Sequence, residues 1–329
     1  MNILIVKLSS LGDVVHAMPA VQDLRAAIPG AVVDWVVEGG FAPLVRRCDG
    51  VRRVIGFGLR RWRRAPLGAQ TAAEWRVFRE QLRGQRYDAV IDLQGLTKSA
   101  LVARAARLAP GGRRYAMANR TEGSSYEAPT RWLADVAIRL EPHVHAVTRS
   151  RELCARALGY RLPAALRFGL HADPQAVAEP GEVPSVALIH GTSRADKCWP
   201  EPHWLELGRR LVADGFRLAL PHGDEAELQR ARRIAQALGP AVDVWPRLDL
   251  GHLTDRLAGC AGVIGVDSGL SHVAVALDLP HVQIYNFDTA WRTGPLPPAA
   301  GPARQRSVHA APSPSVDAVW LAWQGVSGR

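Results

Sequence analysis

The chain has 329 residues, 47% of them hydrophobic and 22% charged, with a formal net charge of +10 at pH 7. That length predicts two domains, each able to bury its own core, and no run approaches the ~20 apolar residues of a membrane-spanning helix. The basic balance points to an acidic partner: nucleic acid, anionic lipid or a phosphorylated substrate.

Met1 to Lys7 lacks a basic head, a long apolar stretch and a small-residue cleavage site, so it reads as a buried first strand and not a signal peptide. Candidate strands follow at Ile3–Leu8, Val32–Val37, Val54–Phe57 and Ala89–Leu93. Helical patterns lie between them, as in Val14, Val15, Met18, Val21, Leu24 and Ile28, or Trp75, Phe78 and Leu82. Pro19 predicts that the first of these helices is kinked or starts near it. Arg46 to Arg64 is strongly basic against the single acid Asp49, and Arg60, Arg61, Arg63 and Arg64 surround Trp62 in sequence. Such crowding is repulsive unless an anion lies nearby, the alternative being a solvated face.

A helix from about His145 to Leu158 ends at Gly159, and the polar stretch Leu162 to Pro184 reads as a linker. A second series then starts, with strands at Val186–His190, Arg217–Leu220, Val242–Trp245, Gly262–Val266 and Val282–Tyr285. Its helices cover Pro202–Ala213, Glu225–Leu238, His252–Ala258 and Leu270–Leu277, and Val316 to Trp323 forms a last amphipathic helix. Strands alternating with helices predict an α/β fold of two doubly wound domains, with ligands outside the strand C-termini. Cys48, Cys154, Cys198 and Cys260 stand far apart, which fits neither a disulfide framework nor a zinc site. No structural metal is expected.

Four clusters carry the candidate chemistry. Lys7-Leu8-Ser9-Ser10-Leu11-Gly12-Asp13 leaves the first strand and enters a helix; it lacks the Gly-x-Gly-x-x-Gly of dinucleotide sites. Asp13 is either a helix-capping acid or a functional carboxylate. Asp92 to Ser99 follows the fourth strand, where Lys98 extends the basic surface. His190 to Pro200 brings Gly191, Thr192, Ser193, Arg194 and Lys197 into one loop able to hold a diphosphate. Asp267-Ser268-Gly269-Leu270-Ser271-His272 is a further strand-to-helix turn whose amides and hydroxyl suit a phosphate. There the alternatives are an N-cap and a core histidine.

These motifs, with Asp34 to Glu38, Arg60 to Arg63 and Tyr87 to Asp92, resemble bacterial ADP-heptose:lipopolysaccharide heptosyltransferases over nearly the whole chain, closest to the heptosyltransferase I branch. The resemblance implies a GT-B fold: two Rossmann-like domains facing a central cleft. An acceptor domain would span residues 1–165, joined by a C-terminal helix at 313–329, and a donor domain residues 166–312. It further implies an inverting, metal-independent transfer of heptose from ADP-heptose to Kdo-lipid A, with no cofactor. Asp13 would be the catalytic base. Thr192, Ser193, Lys197, Ser268 and Gly269 would hold the diphosphate, Asp267 and His272 the heptose, and Glu227 the ribose. Ser10, Arg60, Arg61, Arg63, Lys98 and Arg120 would hold the acceptor. The enzyme would sit in the cytoplasm, peripheral on the inner membrane, with no nucleic-acid partner. Two departures stand out: Ser268 replaces the usual threonine, and Asn286 to Trp291 replaces a Gly-Pro-Thr-Asp-Pro type of loop. The readings set against this one are heptosyltransferase II, a nucleotide-dependent oxidoreductase and a nucleic-acid-binding protein. The first would add to a heptose already in place, the second lacks its glycine fingerprint, and the third rests on charge alone.

Overall fold

The computed structural model describes residues 1–173, 183–298 and 301–328, without the Arg60 side chain. It divides into two compact units, Met1–Leu170 and His171–Arg329. The boundary falls inside the predicted linker, five residues beyond the expected 165; part of that linker, 174–182, lies outside the described residues.

In the first unit the strands are β1 Asn2–Val6, β2 Val32–Glu38, β3 Val51–Phe57, β4 Arg86–Asp92, β5 Arg107–Met117 and β6 Val136–Ile138. They form one parallel sheet in the order β3-β2-β1-β4-β5-β6. β1 is central, and Ile3, Leu4, Ile5 and Val6 are all fully buried because helices cover both faces of a parallel sheet. The chain runs from β1 outward to β2 and β3, then returns across the sheet to β4. Helices on the two sides therefore diverge beyond the C-terminal ends of β1 and β4, and this switch point leaves a crevice.

The helix Leu11–Ala27 starts well before Pro19 and runs through it, so the predicted start near Pro19 is corrected. Ser10 and Asp13 close a capping box at its N-terminus, which fixes the start locally. Its flank packs on Ala146–Leu158, where Arg151 donates to buried Asp23 at 2.6 Å. The second helix ends as predicted at Gly159, whose φ of 73° is the left-handed conformation of a C-terminal cap.

Neither β5 nor β6 was foreseen. β5 contains Pro110, Gly111 and Gly112, residue types that argue locally against a strand, and it stays in the sheet through a register shift opposite Tyr87 and Ala89. The shift brings Gly112 so close that a Cβ there would lie 2.6 Å from the Tyr87 carbonyl oxygen.

The second unit repeats the plan with β7 Ser185–Ile189, β8 Arg217–Leu220, β9 Val242–Val244, β10 Gly262–Val266, β11 His281–Tyr285 and β12 Gln305–His309. All pairings are again parallel, in the order β12-β11-β10-β7-β8-β9, and the switch point lies between β7 and β10. Polar β12 is an edge strand, and it too was missed. The final helix, expected to join the first domain, runs Val316–Ser327 and packs on β11, β12 and Glu201–Ala213 of the second unit. Its stripe Val316, Val319, Ala322, Trp323 and Val326 completes a core with Trp199, Trp204 and Phe216, which is why it belongs there. Each large side chain so buried contributes about 1.5–3 kcal/mol.

Candidate active site

Both switch points carry the loops that the sequence singled out. In the first unit β1 ends at Val6, and Lys7 continues it into the turn before Leu11–Ala27. The Lys7 ammonium is buried; it donates to the Leu93 carbonyl at 3.1 Å and lies 3.4 Å from Asp13 Oδ1. Arg149 Nη2 reaches the same oxygen at 3.5 Å. Asp13 Oδ2 accepts from the Ser10 hydroxyl at 2.9 Å and from the Ser10 amide at 3.3 Å. Asp13 is thus a cap, as its local reading allows, and also the focus of two cations. Its side chain keeps 36% of its surface exposed. Burial works against ionisation, but Lys7, Arg149 and His16 outweigh it and hold the carboxyl well below the usual carboxylate range.

The segment after β4 braces this turn from behind. Gln94 Oε1 accepts both the Leu8 and Ser9 amides at 3.0 Å. Gln94 is placed in turn by Asp92, whose Oδ1 accepts the Gln94 amide at 2.9 Å while Oδ2 accepts the Ser99 hydroxyl at 2.9 Å. Burial raises the Asp92 carboxyl to about 6, partly countered by those donors. Lys98, near the start of the helix Thr97–Ala105, lies 3.4 Å from Glu38 Oε1 at the end of β2.

The expected arginine cluster is not a ring of guanidinium groups around an indole. Trp62 is buried among Phe57, Trp75 and Phe78, with its Nε1 donating to Glu74 at 2.8 Å. Arg61 pairs with that same carboxylate at 2.6 Å. An apolar ring five residues after Phe57 is better buried in the core than left among charges. Arg63 and Arg120 are exposed, and the Arg60 side chain lies outside the described residues.

In the second unit the loop after β7 and the turn after β10 meet. Lys197 Nζ donates to Asp267 Oδ2 at 2.6 Å, and the Thr192 hydroxyl donates to the Asp267 carbonyl at 3.1 Å. His272 Nε2 lies 3.5 Å from Asp267 Oδ1. Burial opposes ionisation of Asp267, yet His272 and Lys197 hold its carboxyl well below the usual range. Ser268 is the N-cap of the helix Gly269–Ala276, and its hydroxyl is buried with no protein partner. That hydroxyl and the first amides of the helix suit an anionic oxygen. Ser193 is exposed in the same loop. His190 is a core residue, pushed down to about 4 by burial and so neutral at physiological pH.

Glu227 comes from the helix Glu225–Leu238 after β8, where its Oε2 accepts the Gly223 amide at 2.6 Å. It packs against Gly191, where a Cβ would lie 2.1 Å from its Oε1, so a larger residue there would push that carboxylate aside. The divergent loop after β11 has a structural role: Asn286 Nδ2 donates to the carbonyls of Asp196 and Cys198, both at 2.9 Å, and ties down the loop that carries Lys197.

The structure therefore brings Ser10 and Asp13 together in the first unit and Thr192, Lys197, Asp267, Ser268, Gly269 and His272 in the second. Glu227 stands beside Gly191 at the end of the same loop. Arg149, Gln94 and Asn286 were not picked out as site residues. Arg149 had no signal, being one arginine among several on its helix, whereas Gln94 and Asn286 lay inside segments already marked. Among the described residues no group of three or more His, Cys, Asp or Glu side chains could hold a metal ion.

Two Rossmann-like units, each with its candidate groups on loops at the switch point, are the architecture of the GT-B class, in which glycosyltransferases are built. The family description glycosyltransferase family 9 (heptosyltransferase) matches residues 75–317, and the chain belongs to that family. It is 41% identical over 292 residues to lipopolysaccharide heptosyltransferase 1 of Escherichia coli (strain K12), covering 87% of this chain and 88% of the relative. The solved structure of E. coli heptosyltransferase WaaC with ADP matches with a TM-score of 0.84 at 36% identity, over 98% of each chain. Lipopolysaccharide heptosyltransferase 2 of the same strain is 26% identical over 309 residues, covering 90% of this chain and 86% of the relative.

Proposed function

We propose that the protein is an inverting heptosyltransferase that moves heptose from ADP-heptose onto the Kdo of Kdo-lipid A. The observation that carries this reading is Asp13, a carboxylate kept ionised by Lys7 and Arg149 while its side chain stays open to a substrate. Asp13 takes the proton of the acceptor hydroxyl as that oxygen attacks the anomeric carbon. The bond from that carbon to the diphosphate breaks, and ADP leaves with the electron pair. One displacement inverts the centre and needs one carboxylate, because ADP is already a good leaving group; a hydrolase needs a second carboxyl as acid.

Charge building up on the diphosphate is met by Lys197, the hydroxyls of Thr192, Ser193 and Ser268, and the amides from Gly269 onward, with no metal ion. Asp267 and His272 orient the heptose, and Glu227 accepts from the ribose hydroxyls. Ser10, Arg60, Arg61, Arg63, Lys98 and Arg120 hold the carboxylates and phosphates of the acceptor. The first unit is thus the acceptor domain and the second the donor domain. The protein would work at the cytoplasmic face of the inner membrane; among the described residues no helix is long and apolar enough to cross one. The higher identity to heptosyltransferase 1 favours addition of the first heptose over the second.

The test is incubation with ADP-heptose and Kdo-lipid A, followed by mass spectrometry of the lipid. A gain of one heptose is expected. A gain only on an acceptor that already carries heptose would move the reading to the second-heptose enzyme, and no gain on either acceptor would refute it.

A further inference from the structure

The apolar side chains that the first unit leaves in water are not scattered. Apart from Met1 at the chain start, its exposed large hydrophobics are Leu67, Trp75, Val77, Leu101 and Trp132. All five lie on one helical layer, built from Leu59–Trp62, Ala69–Arg83, Thr97–Ala105 and Pro129–Leu133 and the turn between the first two. These helices share one side of the sheet: Phe78 and Leu82 pack in one core with Val102 and Ala103, and Thr97–Ala105 packs on Pro129–Leu133. Right-handed crossovers place Leu11–Ala27 on the other side, where it packs on Ala146–Leu158. Among the described residues neither of those two helices exposes a large hydrophobic.

Charge follows the same division. The four helices and their turn carry ten arginines and lysines against two acids, Glu74 and Glu80. Leu67 is 99% exposed at the tip of the turn after Arg63 and Arg64, and Trp132 is 69% exposed with the Arg131 guanidinium 5.4 Å from its ring centre. A single exposed leucine needs no explanation. Leu67, Leu101 and Trp132, each more than half exposed on one arginine-rich helical layer, with Trp75 and Val77 partly exposed on opposite flanks of their helix, mark that layer as a candidate interaction surface. A second copy of the same face would meet it with like charge, and a nucleic acid would satisfy the arginines without using Leu67. An anionic bilayer satisfies both, offering phosphates to the guanidinium groups and the acyl boundary to leucine and tryptophan.

We propose that this helical layer docks the first unit on an anionic lipid bilayer, with Leu67 and Trp132 at the acyl boundary and Arg76, Arg79 and Arg131 on lipid phosphates. The proposal rests on the reading that the acceptor is anchored in a membrane, and it names the surface that meets that membrane.

The test is co-sedimentation of the full chain with acceptor-free vesicles of phosphatidylethanolamine and phosphatidylglycerol, beside vesicles of phosphatidylcholine. Wild type is expected to pellet with the anionic vesicles, less so with the neutral ones, and less as salt rises. Leu67→Asp with Trp132→Ser is expected to weaken binding at least about tenfold, and Arg76→Glu with Arg79→Glu likewise. Leu321→Asp, an exposed site on the second unit, is expected to change nothing. Transfer to a deacylated acceptor in solution is expected to keep its wild-type kcat/KM in all these variants. Wild-type binding by both first-unit variants, equal binding to neutral vesicles, or complete displacement from vesicles by RNA would overturn the proposal. Intact anionic binding with no transfer to any acceptor would support the docking face and sink the activity instead.

Discussion

Lys7 and Asp13 form an ion pair in which only one partner is buried: Nζ lies 3.4 Å from Oδ1, with the lysine side chain 4% exposed and the aspartate 36%. The lysine is anchored by the Leu93 carbonyl, so its position is fixed before any substrate arrives; burial lowers its pKa, and Asp13 opposes that by favouring the charged form. Among the groups that lower the Asp13 carboxyl against the effect of burial, Lys7 is the largest. Lys7→Met therefore releases that carboxyl upward. The acidic limb of the kcat/KM profile is expected to move to higher pH, because a base with a raised pKa is protonated sooner as pH falls. An unmoved limb in a folded variant would separate the lysine from the base. The stability side has the same origin and shows at the same acidic end of the scale. A depressed native pKa adds stability above the unfolded value near 3.9, lost as pH falls below it.

Asp13→Asn separates capping from chemistry. Asn caps about as well as Asp but loses the pairing with Lys7 and Arg149, so the melting temperature is expected to fall while the fold is kept and ADP-heptose still binds. Asn cannot take a proton, and turnover is expected to fall by about 10²–10⁴-fold. Near-normal turnover from the folded variant, measured with chemistry as the slow step, would leave Asp13 as a cap alone.

Lys197 is paired with Asp267 at 2.6 Å, and a bound diphosphate would compete for the same ammonium. Lys197→Ala is expected to weaken ADP-heptose binding and to slow transfer, both readable by calorimetry and single-turnover rates. Unchanged donor affinity together with an unchanged rate would remove Lys197 from the donor site.

Arg61 is held by Glu74, whereas Arg63 is exposed. Replacing both with alanine is expected to raise the acceptor KM while leaving ADP binding unchanged. The wild-type acceptor KM is expected to rise with salt, since exposed charges are screened beyond about 10 Å at 0.1 M. Acceptor kinetics indifferent to both changes would reduce this run to a solvated face.

Asp92 sets a pH dependence of its own. Burial lifts its native carboxyl to about 6, above the unfolded value near 3.9. Between those values the native state holds more protons than the unfolded state, so this group's contribution to stability falls as pH rises through the window. Asn keeps an acceptor for the Gln94 amide and removes the charge. The melting temperature of Asp92→Asn relative to wild type is expected to increase from pH 4 to pH 7, and a constant difference would show that the carboxyl titrates normally.

By itself the sequence determined most of the fold, because runs such as Ile3 to Val6 and Gly262 to Val266 are apolar for local reasons that need no partner. It also located both switch-point turns, since a strand running into a cap and helix is written in consecutive residues. Only the tertiary structure placed β5 and β12, whose Pro110, Gly111 and Gly112 or Gln305 and Arg306 argue locally against a strand and are held by their neighbours in the sheet. The same holds for Trp62, which looked ringed by arginines in sequence and is buried among aromatic rings. Arg149 is the clearest case. It reaches Asp13 from a helix more than a hundred residues away in sequence, and no local pattern records which arginine of that helix turns inward. Spacing along the chain specifies caps, strands and turns; the field at one carboxylate depends on distances through space, which packing alone sets.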